Sequence, residues 1–402
     1  MSTIGEDIEV GLSEEDLQIR DTVRQFAAEV LRPAGIELDR MSNPADGIAS
    51  DSVLWKVVEQ YKSLGIKELA LDEEMDPLRK ARLMAVINEE LAWGDVGLAI
   101  ALGLSAFHQP WVKQSGDAEL IERFCSPDRF TLGCWALTEP DHGSDTVALT
   151  ETCFSDPALK PNCVARKDGD GYVISGQKAA WVSNAPIADM TVLFCTLDLS
   201  QGFKGGGVFL LPLDLPGISR PDPLDKLGQR SLPQGEIFFD DVRVPDSHMV
   251  LGPDLYSIGL ETMLGHANAA MGQLFVGVAR AAYEHAVLYA KQRVQGGVPI
   301  IEHQAVRSRL FKMFTRVEAA RSLARRVALF NASGQQKVEY SIAAKTCATQ
   351  TAFEVASDAV QIFGGNGLSR EYPVEKLLRD ARASMIEDGC NEMLSIVGGA
   401  RL

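Results

Sequence analysis

The sequence predicts an α+β protein of three parts: an N-terminal helical domain, a middle β-sandwich or barrel domain and a C-terminal four-helix bundle. Three textures of the chain lead to this. Apolar residues recur at helical spacing from Ser13 to about Asp128, and short β-branched or aromatic runs split by Gly, Pro and Asp fill the stretch from about Phe130 to Val250. Helical periodicity then returns in four long stretches after Pro253. The expected boundaries are 1–128, 129–250 and 251–402, and 402 residues are more than one ordinary core holds.

In chain order, Ser13 and Asp16 form a capping box that opens the first helix, with an apolar stripe through Leu17, Val23, Phe26, Val30 and Leu31. Further helices fit Ser52–Leu64 and Pro77–Trp93. The almost uncharged Val96–Phe107 is apolar on all sides and expected to be buried. Strands are expected around Phe130–Leu137, Gly171–Ser175, Met190–Leu197, Gly207–Leu213 and Gly235–Val244. The polar Phe154–Gly171 reads as a long loop. The helices of the last part are expected at roughly 255–293, 301–332, 337–363 and 373–397.

A net charge of −16 argues against a nucleic-acid surface, which needs clustered Lys and Arg. No run reaches the length of a membrane span, and the acidic N-terminus lacks the apolar core of a secretory signal. The seven cysteines are odd in number and show no Cys-x-x-Cys, which fits a reducing cytoplasm and no metal site.

The densest cluster of hydrogen-bonding groups is Leu137-Thr-Glu-Pro-Asp-His-Gly-Ser-Asp145, at the end of an apolar strand. Pro140 stops the ladder and Gly143 allows close backbone approach. The Thr138 and Ser144 hydroxyls suit an acceptor-rich group such as a flavin edge or a phosphate. The same residues also suit a plain capped turn, and His142 reads as a surface loop residue.

This turn has companions in order: Gly176-Gln-Lys with Trp181-Val-Ser-Asn, Asp225-Lys-Leu-Gly-Gln-Arg, Phe238-Phe-Asp-Asp-Val-Arg-Val-Pro, Arg293 before Gly297 with His303-Gln304, Gln361-Ile-Phe-Gly-Gly-Asn-Gly, and Glu371-Tyr-Pro-Val-Glu-Lys-Leu-Leu-Arg-Asp. With its three-part layout the chain resembles the acyl-CoA dehydrogenase family over nearly its whole length. The resemblance implies FAD in a cleft between the β domain and the bundle. Leu137 and Thr138 then meet the pyrimidine edge, Gly143 and Ser144 approach a phosphate or the pantetheine arm, and Trp181 and Ser183 stand beside N5. Ala179-Ala180 fills a place where many relatives have one residue. Arg293, Gln304, Gln361, Gly364 and Gly365 match positions that grip the ADP half of FAD held by a neighbouring subunit, which implies a homo-oligomer, a dimer at least and a tetramer by family habit.

The family's base is a glutamate in Ile-Tyr-Glu-Gly-Thr, and the matching segment here is Ile386-Glu-Asp-Gly-Cys-Asn-Glu392. Asp388 falls on the base and Glu387 on the tyrosine. Cys390 replaces the threonine and counts, with Glu392, among the cofactor-binding residues. Abstraction of a proton α to a thioester needs a carboxylate over that carbon, and Asp is shorter than Glu by about 1.5 Å of reach. Glu387 therefore stands as the rival base, and a second acid alongside raises the first one's pKa by repulsion. Asn268 stands near a position where many relatives carry arginine, and Asp95 is an outside candidate. The implied reaction is desaturation of an acyl-CoA, with an electron-transferring flavoprotein as a fitting acceptor. Two alternatives stand beside it: a flavoprotein oxidase of the nitroalkane-oxidase type, weakened by Ser395 where arginine is expected, and a flavin-binding relative without catalysis.

Overall fold

A computed structural model describes residues 10–127 and 129–402; the N-terminal segment judged not to be a signal lies outside the described residues. The first part is helical: α1 (Glu14–Phe26), a π-turn at Ala27–Leu31, α2 (Arg32–Arg40), α3 (Val53–Lys62), α4 (Ile66–Leu71), α5 (Pro77–Gly94), α6 (Val96–Phe107), α7 (Gln109–Ser115) and α8 (Ala118–Cys125). The capping box forms as read: Asp16 N donates to Ser13 Oγ, and Ser13 N to Asp16 Oδ2. Of the expected stripe on α1, Leu17 is the exception. It is exposed with Glu14 and Glu15, while Asp16, Val23 and Phe26 are buried.

The middle part is an eight-stranded sheet of β1 (Gly133–Ala136), β2 (Val164–Asp168), β3 (Gly171–Ser183), β4 (Met190–Thr196), β5 (Gly206–Pro212), β6 (Ile218–Ser219), β7 (Gln234–Pro245) and β8 (Met249–Leu251). Its path runs β6-β7-β3-β2-β4-β5-β8, with β1 parallel to β4. β4 and β5 are buried along their whole length, which explains their continuous apolar sequence. Val192, Phe194, Val208 and Leu210 pack toward Tyr256 and Leu260 of the bundle. Leu193, Cys195, Phe209 and Leu211 pack against Ile174, Ile237 and Phe239 of the β3–β7 arm. The stretch read as a loop from Phe154 contains β2, which pairs antiparallel with β3. Polar residues on its exposed edge hid it from the pattern.

The last part contains α9 (Pro253–Gln292), α10 (Gln304–Ala332), α11 (Val338–Phe363), α12 (Val374–Ser384) and α13 (Asn391–Gly399). The expected fourth helix is thus two. α12 ends at Ser384, a turn follows, and within it Asp388 and Gly389 take left-handed backbone at φ 51° and 89° before Cys390 caps the next helix. One apolar core runs from α1–α6 into α9–α11. Across that junction Arg280 bonds Glu89 and Glu90, and Arg321 and Arg325 also bond Glu89.

Candidate active site

The turn after β1 is held by a buried ion pair. Lys178 Nζ donates to Glu139 Oε1 at 2.7 Å and to Leu137 O at 2.9 Å, and Asn162 N donates to Glu139 Oε2 at 2.5 Å. Glu139 is thereby a brace and not a ligand-facing acid; the sequence motif contained it without showing this role. His142, expected at the surface, is buried instead. Its Nδ1 lies 2.7 Å from Asp145 Oδ2 and its Nε2 2.8 Å from Leu159 O, so both ring nitrogens are taken by acceptors that pin the turn.

Opposite this turn β3 bulges. Ala179, Ala180 and Trp181 together face the single residue Glu236 of β7, and Ala180 sits at φ 51°. The second alanine is absorbed here. Ala179 N donates to Thr138 O at 3.0 Å, and Thr138 Oγ1 donates to Ala179 O at 3.1 Å. Thr138 keeps its lone pairs to accept from a ligand. The bulge throws Trp181 outward to 60 % exposure, unusual for the largest side chain in a sheet. Gln234 Nε2 donates to Ser183 Oγ at 3.1 Å and Trp181 O at 3.3 Å, and Lys226 Nζ donates to Gln234 Oε1 at 2.7 Å.

The carboxylate segment 385–390 closes on the same turn. Cys390 N donates to Ser144 Oγ at 2.9 Å, which leaves the Ser144 hydrogen free to donate. From α11 the buried Lys345 Nζ donates to Gly389 O and Asn391 Oδ1, both at 2.9 Å. From α9 Asn268 Nδ2 donates to Asp388 O at 3.4 Å, so Asn268 does face the carboxylate segment, and its own Oδ1 has no partner among the described residues. Burial raises the pKa of Asp388. Burial and then the neighbouring Asp388 push Glu387 up to about 7. Gln229 Nε2 donates to Glu387 Oε1 at 2.5 Å, a contact that spacing could not reveal. Asp95 is engaged elsewhere: it caps α6 through Leu98 N, accepts from Ser231 Oγ and pairs with Lys376.

The expected site residues therefore fall into two groups. Leu137, Thr138, Gly143, Ser144, Trp181, Ser183, Glu387, Asp388 and Cys390 meet where the sheet touches the bundle, with the exposed Glu392 on the first turn of α13. Arg293 caps the far end of α9, about 38 Å along the helix from Asn268 at 1.5 Å per residue. Tyr289 stacks on Phe363 at 4.0 Å there and brings the end of α11 alongside, with Gln361, Gly364 and Gly365 exposed. Ile300 N donates to Arg293 O and folds the start of α10, with the exposed Gln304, back to that end. A Cβ at Gly143, Gly364 or Gly365 would meet nothing within 4 Å, so each presents open backbone.

Profiles of three families match in register with these parts: "Acyl-CoA dehydrogenase, N-terminal domain" over residues 13–127, "middle domain" over 134–242 and "C-terminal domain" over 260–402. The chain belongs to the acyl-CoA dehydrogenase family. It is 31 % identical over 407 residues to the mitochondrial short-chain specific acyl-CoA dehydrogenase of Bos taurus, covering 98 % of this chain and 91 % of that protein. With benzylmalonyl-CoA dehydrogenase of Aromatoleum aromaticum the identity is 32 % over 400 residues, 96 % of this chain and 97 % of the relative. The solved structure of butyryl-CoA dehydrogenase from Megasphaera elsdenii superposes with a TM-score of 0.84 at 29 % identity, covering 98 % and 99 % of the two chains. As an acyl-CoA dehydrogenase family member the chain is a flavin-dependent oxidoreductase. Its residues fit a flavin: an exposed indole, free hydroxyl functions and open glycine backbone line the junction of sheet and bundle. Among the described residues no helix is long and apolar enough to cross a membrane.

Proposed function

We propose that this chain desaturates an acyl-CoA at the α,β bond, with Asp388 as the base that removes the α-proton. The observation that carries the assignment is the meeting of the 385–390 segment with the β1 turn, where Cys390 N donates to Ser144 Oγ. FAD, when bound there, supplies the acceptor for the β-hydride. Leu137, Thr138, Gly143, Ser144, Trp181, Ser183, Cys390 and Glu392 are the residues that would hold it in this chain.

Asp388 suits the role through its backbone as much as its carboxyl. Its left-handed φ turns the residue away from the line of α12, while Asn268 holds its own carbonyl and Lys345 holds that of the next residue, Gly389. A half-buried carboxylate with a raised pKa binds the abstracted proton more tightly than a solvated one. Glu387 is instead engaged by Gln229, whose Nε2 donates to its Oε1. Arg293, Gln304, Gln361, Gly364 and Gly365 lie too far along the bundle to serve the same nucleotide, so they serve the ADP half of FAD in a second copy, and the working unit is a homo-oligomer, at least a dimer. Electrons leave to a separate acceptor such as an electron-transferring flavoprotein.

Anaerobic addition of a panel of linear, branched and cyclic acyl-CoAs to the yellow protein tests the proposal. Bleaching by at least one thioester, lost by a factor of about a hundred or more in Asp388→Asn, is expected. Oxygen uptake with nitroalkanes and no bleaching by any thioester would support the oxidase reading instead.

A further inference from the structure

Gln229 is a buried residue of the loop between β6 and β7, and it holds left-handed backbone at φ 49° although it has a side chain. That conformation is unfavourable for a non-glycine residue, and close packing keeps it in place. Gln229 N donates to Asp380 Oδ1 at 2.5 Å, and a Cβ on the preceding Gly228 would collide with the backbone of Arg379 and Asp380. The loop is thus wedged onto the end of α12, a few residues before the carboxylate segment. The side-chain amide then spans to that segment: Nε2 donates to Glu387 Oε1 at 2.5 Å and to Asp380 O at 3.3 Å, while Oε1 has no hydrogen-bond partner among the described residues.

An orphaned buried acceptor beside a carboxyl group has a chemical use. The ionised carboxylate takes the amide hydrogen, and the neutral acid, after an end-for-end turn of the amide, donates its hydroxyl to Oε1. Gln229 can therefore bond Glu387 in either state, which leucine cannot. We propose that Gln229 is a positioning residue: it clamps Glu387 against α12 and away from the cleft, so that Asp388 alone presents its carboxylate, and it lets Glu387 carry a proton whose presence sets the charge felt by Asp388.

The surroundings support a shared proton. Facing Glu387 are Asp388 on its own segment, Lys345 from α11, Asp380 from α12 with Lys376 and Asp95 behind it, and Lys226 with Arg230 from the Gln229 loop. Burial pushes Lys226 down to about 7 and Lys345 down to about 8, so near neutrality these lysines neutralise the acids only in part.

The inference rests on the proposed dehydrogenation, and its test separates the two. The pH dependence of anaerobic flavin reduction is compared in the wild type, Gln229→Leu, Glu387→Leu and the double variant, together with the infrared band of protonated carboxyl groups in the substrate-free holoenzyme. Loss of the amide donor in Gln229→Leu is expected to move the near-neutral limb of the rate profile, and the disappearance of the infrared band, upward by about one pH unit. In the Glu387→Leu background the same change is expected to move neither. Equal shifts in both backgrounds, or none in either, would overturn the role. Should Gln229→Leu not fold, the isosteric Gln229→Glu serves, and an unmoved infrared band there overturns it equally. If no thioester reduces the wild-type flavin, the dehydrogenase reading fails while the infrared comparison still decides the Gln229–Glu387 link.

Discussion

Asp388 and Glu387 are neighbours in sequence with different surroundings. Asp388 is turned out by left-handed backbone and answered by Lys345, whereas Glu387 is tied to a neutral amide and pushed up to about 7 by burial and by Asp388. Adjacent residues on a continuing helix would have pointed about 100° apart; the turn replaces that geometry. For stability the sign follows from the direction of the shift. Glu387 has a folded-state pKa above its unfolded value of 4.5, so the folded protein holds the extra proton between the two values and loses stability as pH rises through that window. Glu387→Gln should therefore lie above wild type in melting temperature at pH about 8 by several degrees, with little difference at pH about 4.5. Scanning calorimetry of the two proteins at both pH values checks this. In the bleaching assay Glu387→Gln should retain most of the rate that Asp388→Asn loses.

At the scale of elements, the break between α12 and α13 is what forms the site. Gly389 has φ 89°, and a Cβ there would stand 2.9 Å from Leu394 Cδ2 and 3.4 Å from Val147 Cγ2. Gly389→Ala thus combines backbone strain with a clash and is expected to destabilise the protein by about 1–3 kcal/mol. It should also lower the flavin reduction rate at least tenfold by displacing Asp388, read by denaturant unfolding and stopped-flow bleaching. The bulge in β3 works the same way. Deleting Ala180 would restore pairing toward β7 and withdraw Trp181, and fluorescence quenching of that indole on adding FAD is expected to weaken. Neither break was visible as a break: helical periodicity passes through 385–390, and the β3 run gives no turn signal between Lys178 and Val182.

For the whole molecule two couplings stand out. Across the junction of the first part and the bundle, burial opposes ionisation of Glu89, but Arg321, Arg280 and Arg325 outweigh it and hold the carboxyl well below its ordinary range. A depressed folded-state pKa gives stability that is present above the unfolded value of 4.5 and is lost as pH falls below it. Glu89→Gln is expected to lose about 3–5 kcal/mol near neutral pH and to flatten the acid limb of the unfolding curve. The second belongs to the proposed homo-oligomer. With Arg293 about 38 Å along α9 from Asn268, dilution below the assembly midpoint is expected to release FAD if a second copy completes the site. Arg293→Ala should lower FAD retention without changing the fold, as followed by flavin fluorescence against light scattering.

The three textures of the chain determined the α+β layout, because periodicity reports which faces are buried and the burial occurs within each element. The β1 turn, Trp181 with Ser183 and Asp388 could be singled out as candidates for a related reason: they sit in contiguous motifs. His142, Glu139 with Lys178, and Gln229 with Glu387 could not. Their roles depend on partners 17 to 158 residues away and on whether a polar side chain is enclosed. The separation of Arg293 and its companions from the β1 turn came from the family resemblance and not from spacing, since spacing along a chain does not say which ends a bundle brings together. Local pattern determined the elements and, through the family motifs, pointed to a flavin; long-range packing alone decided that Asp388 takes left-handed backbone, that Glu387 is bonded by Gln229, and that Arg293 stands at the far end of α9.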